Sequence, residues 1–188
     1  FANGAAERYE QDDDFDGRID ARGTFDADGE AAIAERDTTG DGLFDLRTTQ
    51  ESGAKILEER DTRADQRFDV VTRFAAGQRT QQDLDTRGDG QIDTVVTFTA
   101  GQKTGQKHDS SGDTIFDTVT SFDSTERPAR EEFDTNADAK IDLVKIYLEG
   151  QLQREETDTD FDGRFEQTSQ YANATIQTTE IDKNGDTR

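Results

Sequence analysis

The nonapeptide Asp12-Asp13-Asp14-Phe15-Asp16-Gly17-Arg18-Ile19-Asp20 decides how this chain is built, because related stretches return every 24 or 25 residues. Oxygen-bearing side chains stand at its positions 1, 3 and 5, glycine at position 6, an apolar residue at position 8 and a carboxylate at position 9. A tight turn with this pattern offers the oxygen ligands that a calcium ion requires. The spacing therefore predicts a tandem repeat with a metal-binding loop in each unit.

The repeat predicts a single array over residues 1–188. Seven nearly whole units start at an aspartate, and the spacing is 24 residues except in the first and fifth units, which have one more. The array consists of a half-unit 1–11, the units 12–36, 37–60, 61–84, 85–108, 109–133, 134–157 and 158–181, and a partial unit 182–188. Phe1-Ala2-Asn3-Gly4 matches the middle of later units, so we expect a mature product or a segment of something longer.

Metal ligands are predicted at the same loop positions in most units. The first and seventh units have the full set, which is Asp12, Asp14, Asp16 and Asp20, and Asp158, Asp160, Asp162 and Glu166. The sixth has Asp134, Asn136, Asp138 and Asp142, with Ala139 in place of glycine. The remaining predicted ligands are Asp37, Asp41 and Asp45; Asp85, Asp89 and Asp93; Asp109, Asp113 and Asp117; and Asp182, Asn184 and Asp186. Thr39 and Ser111 stand at position 3 of their units, where a hydroxyl or a water would complete the set at some loss of affinity.

Two loops have an arginine at position 3, where a cation should repel calcium. In the third loop Arg63 stands beside Asp61, Asp65 and Asp69, and Gln66 replaces the glycine. We expect this loop to be free of metal, with the guanidinium neutralising the carboxylates through charge-assisted hydrogen bonds. The fourth loop has Arg87 but keeps its glycine, so both outcomes remain open there.

The charge of the chain also indicates bound cations. There are 44 acidic and 22 basic residues, for a net charge of −22, and seven divalent ions would reduce this to −8. Strong self-repulsion opposes a compact state unless something neutralises it. The alternative is a solvated acidic surface of the kind that salt-adapted proteins have.

Composition excludes several classes of protein. With 29% hydrophobic and 35% charged residues, the chain cannot form a large core, so order must come from ions and from contacts between neighbouring repeats. The absence of cysteine excludes disulfides and thiolate metal sites. No apolar run approaches the ~20 residues of a membrane span, and we expect no signal peptide within these residues. The acidic charge disfavours nucleic acid as a partner.

Each unit reads as strand, tight turn, strand and loop. Position 8 is apolar in every unit, and position 14 is aromatic except at Gln50. The segments around position 14 are rich in β-branched residues, and a pair ending in glycine, such as Ala76-Gly77, follows. A two-residue turn there places position 14 opposite position 19, which pairs Phe74 with Arg79, Phe98 with Lys103, Tyr147 with Leu152 and Tyr171 with Ile176.

Two features depart from a simple hairpin pattern. Position 11 is valine in the central units (Val71, Val95, Val119 and Val144), so neither face of the strands is wholly polar, and a bulge or a second covering layer would explain this. In the fifth unit Pro128 removes a hydrogen-bond donor, and we expect a local defect, a bend or an edge, at 123–133.

The fold class is therefore all-β, with tandem 24–25-residue hairpins that form an elongated antiparallel sheet or a solenoid and calcium loops between the hairpins. A flat or twisted meander, a coil-per-repeat solenoid and a closed ring remain open.

The loops resemble the aspartate-rich calcium turns of EF-hands, thrombospondin type 3 repeats and integrin-type propeller repeats. The match covers positions 1, 3, 5, 6 and 9 in the Asp12 and Asp158 units and fewer positions elsewhere. The chain departs from EF-hands in lacking a glutamate at position 12, where Gly23 or Ser169 stands, and from thrombospondin repeats in lacking cysteine. The hairpins resemble the repeats of bacterial Rhs-type shells. These resemblances imply a bacterial, secreted or cell-surface, calcium-loaded β-repeat protein.

Three functions follow from these observations. The first is structural, a calcium-stiffened stalk, spacer or filament segment that can pair end to end with its own kind. The second is a calcium-dependent adhesin that binds a surface protein or a glycan through rows of residues such as Thr94, Thr97, Thr118 and Gln102. The third, an enzyme, is disfavoured, because His108 is the only histidine and no motif for nucleophilic catalysis surrounds it.

Overall fold

The computed structural model describes residues 6–182, which form fifteen β-strands and no helix. The prediction of an all-β chain is therefore confirmed. No helix in this range is long and apolar enough to cross a membrane. The chain divides into two compact units, Phe1–Ile92 and Asp93–Arg188, and the predicted single array over residues 1–188 stays a prediction.

The first unit is an antiparallel meander of seven strands, in which each strand pairs with the next one along the chain. Its strands are β1 Arg8–Gln11, β2 Ala21–Phe25, β3 Ala31–Arg36, β4 Leu46–Glu51, β5 Ala54–Arg60, β6 Val70–Ala75 and β7 Gln78–Leu84.

The second unit repeats this arrangement with eight strands. They are β8 Thr94–Thr99, β9 Gln102–His108, β10 Thr118–Phe122, β11 Pro128–Phe133, β12 Leu143–Leu148, β13 Gln151–Thr157, β14 Gln167–Ala172 and β15 Thr175–Ile181. Within each unit, then, the described strands form an open meander, and they do not coil into a solenoid.

Five hairpins have the two-residue turn that the sequence predicts. Both turn residues have positive φ, as in Ala76 (50°) and Gly77 (76°), which is the backbone of a type I′ turn. The turns are Ser52-Gly53, Ala76-Gly77, Ala100-Gly101, Glu149-Gly150 and Asn173-Ala174. All four predicted pairings of position 14 with position 19 are confirmed, among them Phe98 with Lys103.

The additional residue of the first and fifth units lies in a longer hairpin turn. The N–H of Asp26 bonds to the carbonyl of Glu30 at 2.8 Å, and the N–H of Asp123 bonds to that of Arg127 at 2.8 Å. The carboxylate of Asp123 accepts hydrogen bonds from the Thr125 hydroxyl and from the Arg127 N–H, which lower its pKa to about 2. These hydrogen bonds to the Asp123 side chain stabilise the turn of the fifth unit, which lacks the residue pair ending in glycine.

Pro128 causes less disturbance than predicted. It is the first residue of β11, where it pairs with Phe122 next to a β-bulge, a position that needs no regular ladder donor. The expectation of an edge is wrong, because β11 pairs with both β10 and β12. The irregularity at 123–133 is confined to the turn and this bulge.

A β-bulge lies next to position 14 in each of the seven hairpins within residues 21–181, as between Thr97 and Phe98. The unpaired residue of the bulge lies in the second strand, as Thr104 does between the partners of Phe98 and Thr97, so the alternation of the first strand, which contains position 11, is not interrupted. The valines at position 11 need no second layer, since Val144 is only 1% exposed and Val71, Val95 and Val119 are half-buried.

The core is small, as the composition predicts. The buried apolar residues in the described part of the chain are Ala21, Val96 and Val144. Contacts between consecutive repeats take the place of a core. The Lys103 ammonium lies 4.0 Å from the ring centroid of Phe122, and that of Lys55 lies 4.1 Å from the centroid of Phe74.

These cation–π contacts join different residues from those paired across a hairpin. Lys103 is paired with Phe98 in its own hairpin, but its charge lies over a ring of the following repeat. Arg22 over Phe44 (4.2 Å) and Arg47 over Phe68 (4.9 Å) likewise join one repeat to the next. Position 14 and position 8 aromatics thus stabilise the stacking of hairpins.

Candidate metal sites

The carboxylate at position 1 shapes every loop. In all seven loops it accepts a hydrogen bond from the backbone N–H of position 6, over 2.6–3.0 Å. The carboxylate at position 5 similarly accepts the N–H of position 7, over 2.8–3.0 Å. These are local side-chain-to-backbone turns that favour aspartate without a metal. The turn itself therefore favours aspartates at positions 1 and 5.

The carboxylate at position 9 closes the loop. It accepts the backbone N–H of position 2, as from Thr38 to Asp45 at 2.9 Å, and the Thr38 hydroxyl bonds to the same carboxylate at 2.7 Å. The same closure occurs in the third, fifth, sixth and seventh loops. Sequence reasoning missed this role, although threonine or serine follows the first aspartate in six of the seven units.

Successive loops are joined through the backbone. The N–H of the position 1 residue donates to the carbonyl of position 9 in the preceding loop, as from Asp37 to Asp20 at 2.8 Å and from Asp158 to Asp142 at 2.8 Å. Position 1 and position 9 carboxylates of neighbouring repeats are thus held on adjacent backbone segments.

Many of these carboxylates are buried. The buried loop aspartates are Asp37, Asp69, Asp85, Asp93, Asp109, Asp117, Asp134, Asp142 and Asp158. Burial raises the pKa of Asp37, but hydrogen bonds from the N–H groups of Gly42 and Gly40 outweigh it and leave the pKa below its usual value. For Asp117, burial is likewise outweighed by the Ser110 hydroxyl and N–H. The loops therefore favour the charged form of Asp37 and Asp117, which is the form that binds cations.

Two loops bring their carboxylates together closely enough to share an ion. In the seventh, one oxygen each of Asp158, Asp160, Asp162 and Glu166 lie within 4.8 Å of one another. In the first, Asp12, Asp14 and Asp20 form such a group, whereas Asp16 is not part of it. These are the two loops in which the sequence predicts a full ligand set, and acidic groups that can hold a metal ion are present in both.

The first loop also contains an unsatisfied buried oxygen. Oδ2 of Asp12 accepts the N–H of Gly17 at 3.0 Å, but Oδ1 is buried and has no hydrogen-bond partner. A buried acceptor without a partner costs free energy, and a cation between Asp12, Asp14 and Asp20 would satisfy it. The residues of this loop therefore fit a metal ion.

The second, fifth and sixth loops have no such cluster of three carboxylates. In the second and fifth, the position 3 hydroxyls of Thr39 and Ser111 donate to the position 1 carboxylates at 3.2 and 3.1 Å. In the sixth, the side-chain oxygen of Asn136 accepts the N–H of Asp138 at 2.9 Å. Position 3 side chains here serve the turn, so the predicted ligands Asp37, Asp41, Asp45, Asp109, Asp113, Asp117, Asp134, Asp138 and Asp142 remain predictions.

The arginines of the third and fourth loops turn towards carboxylates. Nε of Arg63 lies 3.4 Å from Oδ2 of Asp69, and Nε of Arg87 lies 3.5 Å from Oδ2 of Asp89. Arg87 thus faces a carboxylate of its own loop. Asp85 accepts the N–H of Gly90 at 2.7 Å in the first unit, while Asp93 belongs to the second unit and accepts the Thr94 hydroxyl at 2.9 Å.

The last predicted site is only partly described. The N–H of Asp182 donates to the carbonyl of Glu166 at 2.7 Å, which continues the link between repeats. Asn184 and Asp186 lie outside the described residues.

The side chains suggested for an adhesive face differ in exposure, since Thr97 and Gln102 are exposed whereas Thr94 and Thr118 are not. Thr94 is buried and bonds to both Asp93 and Nδ1 of His108, the latter at 2.8 Å. Thr118 is half-buried and its hydroxyl donates to Asp117 at 3.1 Å. His108 thus lies at a strand end beside a loop carboxylate.

Comparisons with known proteins do not identify a family. No protein-family model matches the chain, and no curated protein matches it. Among solved structures, a mutant of S. aureus TarM in complex with fondaparinux, alpha-GlcNAc-glycerol and UDP is similar at 7% identity and a TM-score of 0.30, over 65% of this chain and 19% of that one. A second structure of TarM is similar at 10% identity and a TM-score of 0.22, over 68% and 19%. Likeness at this level supports no conclusion about function.

Proposed function

We propose that the chain is a calcium-binding structural repeat segment that acts as a rigid extracellular stalk, spacer or filament component. The observation that carries the proposal is the seventh loop, where Asp158, Asp160, Asp162 and Glu166 each direct an oxygen to one place. The buried, unpartnered Oδ1 of Asp12 in the first loop supports it independently. Both loops supply only hard oxygen ligands, the type that calcium prefers.

The structural part of the proposal rests on the small core. With three buried apolar residues in the described chain, stability has to come from the contacts between repeats and from the neutralisation of the loops. Extracellular calcium modules bind at ~10⁻⁴ to 10⁻³ M, so such loops fill outside the cell and empty inside it. This dependence favours a secreted or cell-surface location, and the resemblance to Rhs-type repeats favours a bacterial source.

Calorimetric titration with calcium tests the metal site directly. Asp160→Asn keeps an oxygen that can accept the Asp162 N–H but removes a charge from the cluster, so we expect the seventh site to lose at least tenfold in affinity. The matched control is Asp65→Asn in the third loop, where the same change should leave the calcium stoichiometry and affinities unaltered. Absence of binding at millimolar calcium in the unmodified chain would overturn the proposal, and so would equal effects of both substitutions.

A further inference from the structure

The third loop has a cation of its own. Arg63 stands at position 3, and its Nε lies 3.4 Å from Oδ2 of Asp69, the position 9 carboxylate. The Asp69 side chain is 7% exposed and that of Arg63 is 33% exposed, so the pair is shielded on the carboxylate side. Thr62 gives the same carboxylate its N–H at 2.8 Å and its hydroxyl at 2.6 Å. The buried carboxylate is thus neutralised from within its own loop.

Arg63 also reaches into the fourth loop. Its Nη2 donates a hydrogen bond to the carbonyl of Thr86, which is 23 residues further on. Gly88 leaves room for this contact, because a Cβ atom at Gly88 would overlap the guanidinium group. One side chain therefore closes the third loop and ties it to the following one.

The net charge of the third loop is smaller than that of the two loops with carboxylate clusters. Residues 61–69 contain three carboxylates and two guanidinium groups, Arg63 and Arg67, for a net charge of −1. The first loop, residues 12–20, has five carboxylates against Arg18, a net charge of −4, and the seventh, residues 158–166, has a net charge of −3. A divalent ion would leave the third loop positive but the other two still negative, which opposes its binding only in the third.

We infer that the side chain at position 3 decides how a loop is neutralised, and that Arg63 makes the third loop and its link to the fourth independent of bound metal. In the first loop Asp14 occupies position 3 and contributes to a cation site. In the third loop the guanidinium takes the place of that cation and also donates a hydrogen bond to the Thr86 carbonyl of the fourth loop. This segment of the first unit should therefore keep its fold when ions are removed.

Hydrogen exchange at the N–H groups of Thr62 and Gln66, which donate to Asp69 and Asp61, tests this inference. In the unmodified chain we expect less than a twofold difference between calcium and chelator. Arg63→Gln should speed exchange at least tenfold in both solutions. The matched control is Arg60→Gln, which removes an equal charge from an arginine that is 51% exposed and paired with Glu58, and it should leave these two amides unchanged. Loss of protection in chelator alone, or no effect of Arg63→Gln, would overturn the inference.

A gain of binding tests position 3 itself, and this arm rests on the proposed function. The double variant R63D/Q66G supplies a carboxylate at position 3 and relieves the positive φ of Gln66 (67°), so native mass spectrometry should show one more calcium ion than in the unmodified chain. If the first and seventh loops bind calcium and the variant gains no further ion, the residue at position 3 does not decide whether a loop binds metal, and the inference fails. If the chain binds no calcium anywhere, the proposed function fails, while the exchange experiment still decides the role of Arg63.

Discussion

Gly23 in strand β2 is a residue whose missing side chain is required by close packing. A Cβ atom there would collide with the carbonyl oxygen of Ile33 and would lie 2.5 Å from Cε1 of Tyr9. The Ile33 carbonyl is part of the backbone of β3, which pairs with β2, so it cannot move away without disturbing the sheet.

Gly23→Ala should therefore lower the local free energy of unfolding of β1–β3 by about 1–3 kcal/mol, the usual cost of overpacking. Hydrogen exchange of the amides of these strands measures it. Thr24→Ala, at the exposed neighbouring position in β2, is the control and should have little effect. Equal protection in the two variants would show that the collision is relieved at no cost.

The loop residues show how far the sequence determines the site. Aspartates at positions 1, 5 and 9 suggest a metal, yet the third loop keeps all three beside Arg63 because the same carboxylates bond to backbone N–H groups. Aspartates at positions 1, 5 and 9 therefore do not distinguish a loop that can bind a metal ion from one that only forms a turn. Position 3 does distinguish them, because a carboxylate there, as in Asp14 and Asp160, completes the clusters.

The hairpin turns are the elements that the sequence predicts best. A residue pair that ends in glycine, such as Ala76-Gly77, favours a two-residue turn. The turn then fixes the register of the hairpin, so Phe74 lies opposite Arg79 as predicted. The stagger of one hairpin against the next is not encoded by a local motif. For this reason the contact of Lys103 with Phe122, and the harmless placement of Pro128 at a strand start, were not predictable.

The last hairpin turn offers a test of this turn chemistry. Asn173-Ala174 adopts φ values of 50° and 60°, whereas the sister turns have glycine second. Ala174→Gly removes a Cβ from a left-handed position and should stabilise the β14–β15 hairpin by about 0.5–1 kcal/mol. Slower amide exchange in β15 would show this. Ala172→Gly, in strand β14, should have the opposite sign, and stabilisation by both would contradict the explanation.

An alternating ladder of charges crosses strands β2 to β5. Nε of Arg22 lies 2.6 Å from Glu35, Nη2 of Arg47 lies 3.0 Å from Glu35, and Nη1 of Arg47 lies 3.6 Å from Glu59. Burial raises the pKa of Glu35, but hydrogen bonds from both arginines outweigh it, so the pKa lies below its ordinary value of 4.5.

A carboxyl group whose pKa is lowered by folding stabilises the fold at pH values above the unfolded pKa and loses this effect as the pH falls through the folded value. Glu35→Gln should therefore cost about 1 kcal/mol at pH 7. The difference from the unmodified chain should shrink below about pH 4.5. Chemical denaturation at pH 7 and pH 3 measures it, with the exposed Glu51→Gln as control. A difference that does not change with pH would contradict the assignment.

On the scale of the whole molecule, two features oppose folding: the apolar core is small, and the chain carries a net charge of −22. Backbone hydrogen bonds hold the loops in shape, but they leave the repulsion between buried carboxylates in place. Divalent ions bound between the carboxylates would remove this repulsion most effectively. Monovalent salt screens exposed charges and reaches buried ones less well.

Thermal unfolding followed by circular dichroism, in calcium and in chelator at equal ionic strength, tests this most directly. A ligand at 100 times its Kd stabilises by about 2.7 kcal/mol per site, so two filled loops should raise the midpoint by about 10 °C or more. Sodium chloride at matched ionic strength should not reproduce the shift. Identical unfolding curves in calcium and in chelator would contradict the claim that bound cations hold this repeat chain together.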